Sequence, residues 1–199
     1  MSPRLVLAST SRYRRELLDR LGVAYSAVPH DVDERAFEER WRDAGGGSAE
    51  DLALALAHAK ADSVRRCEPR AWIVGSDQAC DLGGELLHKP GTAEGARAQL
   101  SRLSGTTHRL VTTIALHGPD GSKRQHVEVH RLRARVLTDD EIARYVAADD
   151  PLDCAGSYRI ESRGIALFES VGGSDFTAIT GLPLIALVTM LRAAGFPVP

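Results

Sequence analysis

Residues 5 to 18 read Leu-Val-Leu-Ala-Ser-Thr-Ser-Arg-Tyr-Arg-Arg-Glu-Leu-Leu. Leu5, Val6 and Leu7 predict a short buried strand, followed by the hydroxyl-bearing Ser9, Thr10 and Ser11. A helix then begins, with Arg12, Arg14 and Arg15 in its first turn. Strand, small polar turn and helix N-terminus form an arrangement that binds phosphate through free backbone N–H groups and the positive end of the helix dipole. Arginines at that end oppose the dipole unless an anion sits between them. One reading is a polyphosphate site. The other is a serine N-cap followed by solvated arginines.

The rest of the chain alternates helices and strands. Ser11 to Leu21 reads as a helix closed by Gly22, and Val23 to Val28 as a second strand. Asp31 to Glu39 is acidic loop or irregular helix. Gly45-Gly46-Gly47 is a break and not a phosphate loop, because no Gly-Lys-Ser/Thr follows. Ser48 with Asp51 resembles a capping box opening a helix from Ala49 to about Arg66. Ala71 to Asp77 is a buried strand and Glu94 to Leu103 a helix. Thr106 to His117 and Lys123 to Val136 are long β segments joined by Pro119-Asp120-Gly121, a hairpin turn signal. Thr138 caps a helix over Asp139 to Ala148. Ile165 to Val171 is a strand, and Leu182 to Ala194 an amphipathic helix ending at Gly195. The fold class is α/β with a mixed sheet.

Composition narrows the function. With 199 residues, 43% apolar and 26% charged, the chain fits one domain or one domain with two lobes. A formal net charge of -2 gives no basic field for nucleic acid. No apolar run approaches the ~20 residues that span a bilayer. Leu5 to Ala8 is too short for a secretory h-region and is followed by arginines. The three cysteines, Cys67, Cys80 and Cys154, are odd in number and widely spaced, which points to reduced thiols and a cytoplasmic protein.

Several polar residues are candidates for chemistry. Gly75-Ser76-Asp77-Gln78 ends the apolar strand, so Asp77 points where α/β proteins bind ligands, to hold a metal or take a proton from water; a turn Asp capping local backbone is the alternative. Asp31, Asp33 and Glu34 add carboxylates of the kind that hold magnesium together with substrate phosphates, or form a solvated acidic loop. Lys60, on a largely apolar helix, and Lys89, before Pro90, either neutralise phosphate oxygens or snorkel to water. The small polar run Asp153 to Tyr158, followed by Glu161, Arg163 and Gly164, suits a loop lining a ligand.

Together these segments resemble the Maf family of nucleoside triphosphate pyrophosphatases. The opening Leu-Ala-Ser-Thr-Ser-x-x-Arg-Arg-x-Leu-Leu, Val32-Asp33-Glu34, Ala59-Lys60-Ala61 and Gly75-Ser76-Asp77 fit its pattern, in order. So do Lys89-Pro90, Leu103-Ser104-Gly105, Ala155-Gly156-Ser157-Tyr158, Arg163-Gly164 and Gly181-Leu182-Pro183. The resemblance covers 1–199 as a single Maf-like domain. It implies an elongated two-lobed α/β fold related to that of inosine triphosphate pyrophosphatases, with a ligand cleft between the lobes. It implies hydrolysis of the α–β phosphate bond with a divalent cation (Mg2+, Mn2+ or Co2+), and a homodimer. Asp77 would accept a proton from water and, with Glu34, hold the metal. Ser9, Arg14, Lys60 and Lys89 would hold the triphosphate.

Three positions indicate the branch. Family members acting on dTTP and UTP usually carry Arg, Thr and Gln where this chain has Tyr13, Gln78 and Glu161. An aromatic, Gln and Glu resemble the YceF-type branch, which acts on 7-methyl-GTP. Methylation at N7 leaves guanine cationic, an aromatic face attracts such a ring, and a carboxylate accepts from the guanine N1–H and exocyclic amine. Arg12 stands where the family usually has proline, and Tyr13 where this branch often has tryptophan. The alternatives are a pyrophosphatase for dTTP, UTP or modified pyrimidine nucleotides, and a nucleotide-binding regulator of cell division or septum formation.

Overall fold

A computed structural model describes residues 3–198. In chain order the elements are β1 (Leu5–Leu7), α1 (Arg12–Asp19), β2 (Tyr25–Ala27), α2 (Glu34–Asp43), α3 (Ala49–Arg65), β3 (Trp72–Leu82), β4 (Glu85–Leu87) and α4 (Ala93–Leu103). They continue with β5 (Thr107–His117), β6 (Lys123–Ala134), α5 (Asp139–Asp149), a 3₁₀ helix (Arg163–Leu167), β7 (Phe168–Gly172), α6 (Thr177–Thr180) and α7 (Leu184–Ala193). The strands form a mixed sheet in the order β2-β1-β3-β5-β6-β7, with β4 paired to β3. The chain divides into two compact units, and β3, β5 and β6 each contribute residues to both.

The first unit comprises Met1–Asp77, Thr112–Glu128 and Asp175–Pro199. Here β1 lies between β2 and β3 and is parallel to both, with Leu7 opposite Ala27 and Val74. Its alternation sorts two cores. Leu5 and Leu7 join Leu17, Leu18, Ile114, Leu187 and Leu191 on one face, where α1 and α7 pack. Val6 and Ala8 join Ala61, Val64 and Ile73 on the other, where α3 packs. A strand covered on both faces reads as an unbroken apolar run, as Leu-Val-Leu-Ala does.

The second unit comprises Gln78–Val111 and Val129–Ser174. Its β3–β4 and β6–β7 pairs are antiparallel, the latter with a register shift at Arg133/Ala134. Buried Asp81 accepts from Arg109 and from the Gly84 backbone N–H at the β3–β4 turn. Tyr158 meets Phe168 edge-on at 4.9 Å between ring centroids, and His108 lies against both.

Most expected elements are present, with four differences. Asp77 is not at a strand end; β3 is eleven residues long, from Trp72 to Leu82. The acidic segment is a regular helix from Glu34, capped by Asp33, whose carboxylate accepts from the Ala36 N–H at 3.1 Å. The expected strand over 165–171 is instead a 3₁₀ helix to Leu167 followed by β7. The short β4 and α6 went unseen, because a three-residue strand and a single helical turn leave no period to read.

Candidate active site

The first unit draws four of the expected residues together: Arg14, Glu34, Lys60 and Asp77. The centre is Lys60. Its side chain is 2% exposed, and Nζ lies 2.5 Å from Asp77 Oδ1 and 2.7 Å from Glu34 Oε1. The alternative that Lys60 snorkels to water does not hold.

Local sequence explains the approach of α3 to β3. Ala53, Ala57 and Ala61 present a smooth helical face with no exposed surface. Opposite them is Gly75, where a Cβ would sit 2.0 Å from the Ala57 carbonyl oxygen and 3.0 Å from the Ala61 nitrogen. Glycine within a strand thus marks a close backbone approach. Thr113 Oγ1, on β5, donates to the Ala53 carbonyl at 2.8 Å and fastens the helix further. Lys60 is thereby held over Asp77, two residues beyond Gly75.

Glu34 arrives differently. As the first residue of α2 it stands where a carboxylate favours the helix dipole, with its side chain half exposed. His30, unremarked in the sequence, lies 3.7 Å from it. Burial first, then Lys60, lower the His30 pKa, so the neutral ring is favoured.

The serine N-cap expected within residues 9–15 is present. Ser11 is an N-cap accepting from the Arg14 N–H at 3.4 Å, and buried Ser9 accepts from the Ser11 N–H at 3.1 Å. Arg12 and Arg15 are exposed, and Arg12 pairs with Glu16 at 3.5 Å. Arg14 instead turns inward, its Nε donating to the Gly181 carbonyl at 3.1 Å. Ser76 Oγ donates to that same carbonyl, also at 3.1 Å. Gly181 is held in turn by a bracket around Asp175, which accepts from the backbone N–H groups of Thr177 and Ile185 at 3.0 and 2.7 Å. Sequence reasoning missed Ser76 and Gly181 as supports, although both fall within quoted motifs.

The electrostatics separate the two carboxylates. Burial raises the pKa of Asp77; Lys60 and Arg14 offset part of this, and Glu34 adds to it. For Glu34 burial also pushes upward, but Lys60 outweighs it through charge and hydrogen bond, with help from His30 and Arg14, and the net shift is downward. Burial also lowers the Arg14 pKa, against the pull of Asp77 and Glu34. Two carboxylates whose environments drive their affinities for protons apart suit a proton acceptor beside a permanent anion.

Of the specificity candidates, Tyr13 lies on α1 with the Arg12 guanidinium carbon 5.0 Å from its ring centroid. In the second unit, Gln78 is half buried on β3, directly after Asp77. Lys89, in the loop after β4, and Glu161, in the segment before the 3₁₀ helix, are exposed there. Among the described residues no three His, Cys, Asp or Glu side chains group into a metal cage.

The Maf-like protein family matches residues 4–194. The chain belongs to it. This Maf-like protein is 47% identical over 199 residues to a protein of Xanthomonas campestris pv. campestris strain 8004 called 7-methyl-GTP pyrophosphatase, covering all of both chains. Proteins of the same name from Alkalilimnicola ehrlichii and Bordetella pertussis are 43% and 45% identical; the matches cover 98% and 97% of this chain and 95% and 93% of theirs. Among solved structures, the Staphylococcus aureus Ham1 protein superposes with a TM-score of 0.51 at 16% identity, covering 96% of this chain and 99% of that one. The Maf-like protein therefore shares the Ham1 fold.

Proposed function

We propose that this Maf-like protein hydrolyses 7-methyl-GTP between the α- and β-phosphates, giving 7-methyl-GMP and pyrophosphate. The observation that carries the reading is Lys60 buried between Glu34 and Asp77, in a chain matching full-length relatives that bear that name. We take 1–199 as one Maf-like domain acting as a homodimer in the cytoplasm. The dimer rests on the family resemblance, and three unpaired cysteines support the cytoplasm.

Asp77 accepts the proton of the attacking water, a role that suits a carboxylate whose proton affinity is raised by burial. Arg14 and Lys60 neutralise phosphate oxygens, with Ser9 and Lys89 completing the triphosphate contacts. Arg14 enters with its Nε already tied to Gly181, which fixes the plane of its remaining donors. Tyr13 stacks on the cationic purine, Glu161 accepts from its N1–H and exocyclic amine, and Gln78 orients the base or a nearby phosphate.

Glu34 and Asp77 fit a divalent cation. Each places an oxygen on the Lys60 ammonium, so both face one cationic position, and hard ions such as magnesium take one or two carboxylates with phosphates and water filling the shell. When bound, such an ion supplies charge neutralisation along the phosphates and orients water. A chromatographic assay of nucleotide products, with and without excess chelator, tests the reading. It expects 7-methyl-GMP with pyrophosphate, abolished by chelator. Release of 7-methyl-GDP and orthophosphate contradicts it, and binding without turnover points to a regulator.

A further inference from the structure

Helix α7 starts at Leu184 with no side-chain cap, because Pro183 stands at its N-cap. The preceding turn meets its first donors instead. Thr177 Oγ1 accepts from the Leu184 N–H at 3.0 Å, and Asp175 Oδ2 from the Ile185 N–H at 2.7 Å. A helix start leaves such N–H groups without partners inside the helix. The other Asp175 oxygen accepts from Thr177, lying 3.0 Å from its backbone nitrogen and 2.5 Å from its hydroxyl. Asp175 is 4% exposed, and its own N–H donates to Glu128 Oε1 at 3.3 Å. A buried carboxylate is costly unless hydrogen-bonded, and this one draws on residues 177 and 185 for its donors.

Between those two residues lies the peptide that Arg14 uses. Gly181 has φ +123°, in the region that favours glycine. Its N–H donates to the Ala178 carbonyl at 2.9 Å, and Thr112 Oγ1 on β5 donates to the same carbonyl at 2.8 Å. On the other side, the Leu182 carbonyl lies 2.9 Å from Thr177 Oγ1. With the chain held before and after it, the Gly181 carbonyl has one direction, and Arg14 Nε and Ser76 Oγ both donate to it. Once Nε is committed, the edge formed by the two Nη groups is left for a bidentate contact with an anion.

We propose that Asp175 and Thr177 are positioning residues for phosphate binding. Through the Gly181 carbonyl they set the plane in which the Arg14 guanidinium presents its remaining donors. This rests on the reading of Arg14 as a phosphate ligand, and it adds two residues that themselves touch no substrate.

Calorimetric binding of inorganic tripolyphosphate, with excess magnesium and the whole protein, tests this without requiring turnover. Thr177→Val keeps the shape of the side chain and removes its hydroxyl, and Thr177→Ser keeps the hydroxyl. Thr177→Val is expected to bind about 10-fold more weakly than wild type, and Thr177→Ser within about 2-fold of it. In an Arg14→Gln background, Thr177→Val is expected to cost less than about 2-fold, because the group it positions is gone. Asp175→Asn sets an amide NH₂ against a backbone N–H and is expected to follow the same cycle; where it fails to fold, the Thr177 variants decide. Equal weakening by Thr177→Val in both backgrounds makes the bracket a support of the fold alone and overturns the proposal. Wild-type affinity in Thr177→Val, or no saturable binding by wild type, overturns it as well. The proposed hydrolysis fails separately: coupled binding with no pyrophosphate released from 7-methyl-GTP keeps the positioning role and removes the reaction.

Discussion

Lys60 Nζ lies 2.5 Å from Asp77 Oδ1, with both residues almost wholly withdrawn from solvent. The same ammonium reaches Glu34 at the start of α2, so one cation ties together a helix start, a helix interior and a strand interior. In the proposed reaction an incoming triphosphate would give Lys60 new oxygens to hold and loosen its hold on the carboxylate.

Replacing Asp77 by Asn keeps the volume and an oxygen for Lys60, and removes the basicity. Turnover is expected to fall by roughly 10²-fold or more. Stability falls by about 1–3 kcal/mol, because Glu34 still answers the Lys60 charge. Steady-state kinetics with a denaturant titration check both. Wild-type turnover in a folded variant shows that Asp77 takes no proton.

Gly75→Ala tests the packing that delivers Lys60. Its Cβ would meet the Ala57 carbonyl oxygen at 2.0 Å, and backbone cannot yield as a side-chain tip does. A destabilisation of about 1–3 kcal/mol or more is expected, with activity lost beyond what the unfolded fraction explains. Full activity in the folded variant would separate the α3–β3 contact from catalysis.

Much of this was legible in the sequence. Leu5 to Leu18 gave a strand, a cap and a helix because each is local: three apolar residues, one serine side chain and one helical repeat. The Ser48 capping box and the Thr138 cap formed for the same reason, the latter as a full box with Glu141. The burial of Lys60 was not legible, since a lysine on an alanine-rich helix reads equally as snorkelling. Only Gly75, seen as the place where α3 meets β3, distinguishes the two. Nor did the sequence show that the Gly181 carbonyl holds Arg14 and Ser76, an arrangement linking residues 167 and 105 positions apart.

Acid is expected to destabilise the protein before its carboxylates titrate. Burial holds the His108 pKa at about 4, and its Nε2 lies 3.0 Å from the Tyr158 hydroxyl. The unfolded chain binds that proton near pH 6.5, so the contribution is complete above that pH and lost progressively toward pH 4. It amounts to about 3 kcal/mol. Urea midpoints of wild type and His108→Phe across this range are expected to diverge, with the wild type falling more steeply. Parallel curves contradict the assignment.

The proposed function places specificity on Tyr13, Gln78 and Glu161. Changing them to Arg, Thr and Gln is expected to lower kcat/KM for 7-methyl-GTP and raise it for dTTP and UTP. Glu161→Gln alone should cost about 1–3 kcal/mol toward the methylated substrate, through a lost charge-assisted hydrogen bond. An unchanged ranking of substrates in the triple variant removes these residues from recognition.

The most direct measurement is kcat/KM of the wild-type protein for 7-methyl-GTP, GTP, dTTP and UTP under one condition, with pyrophosphate as the readout. The account predicts pyrophosphate release from 7-methyl-GTP, with kcat/KM higher than for each of the other three. A higher value for dTTP or UTP, or no pyrophosphate from any of them, contradicts it.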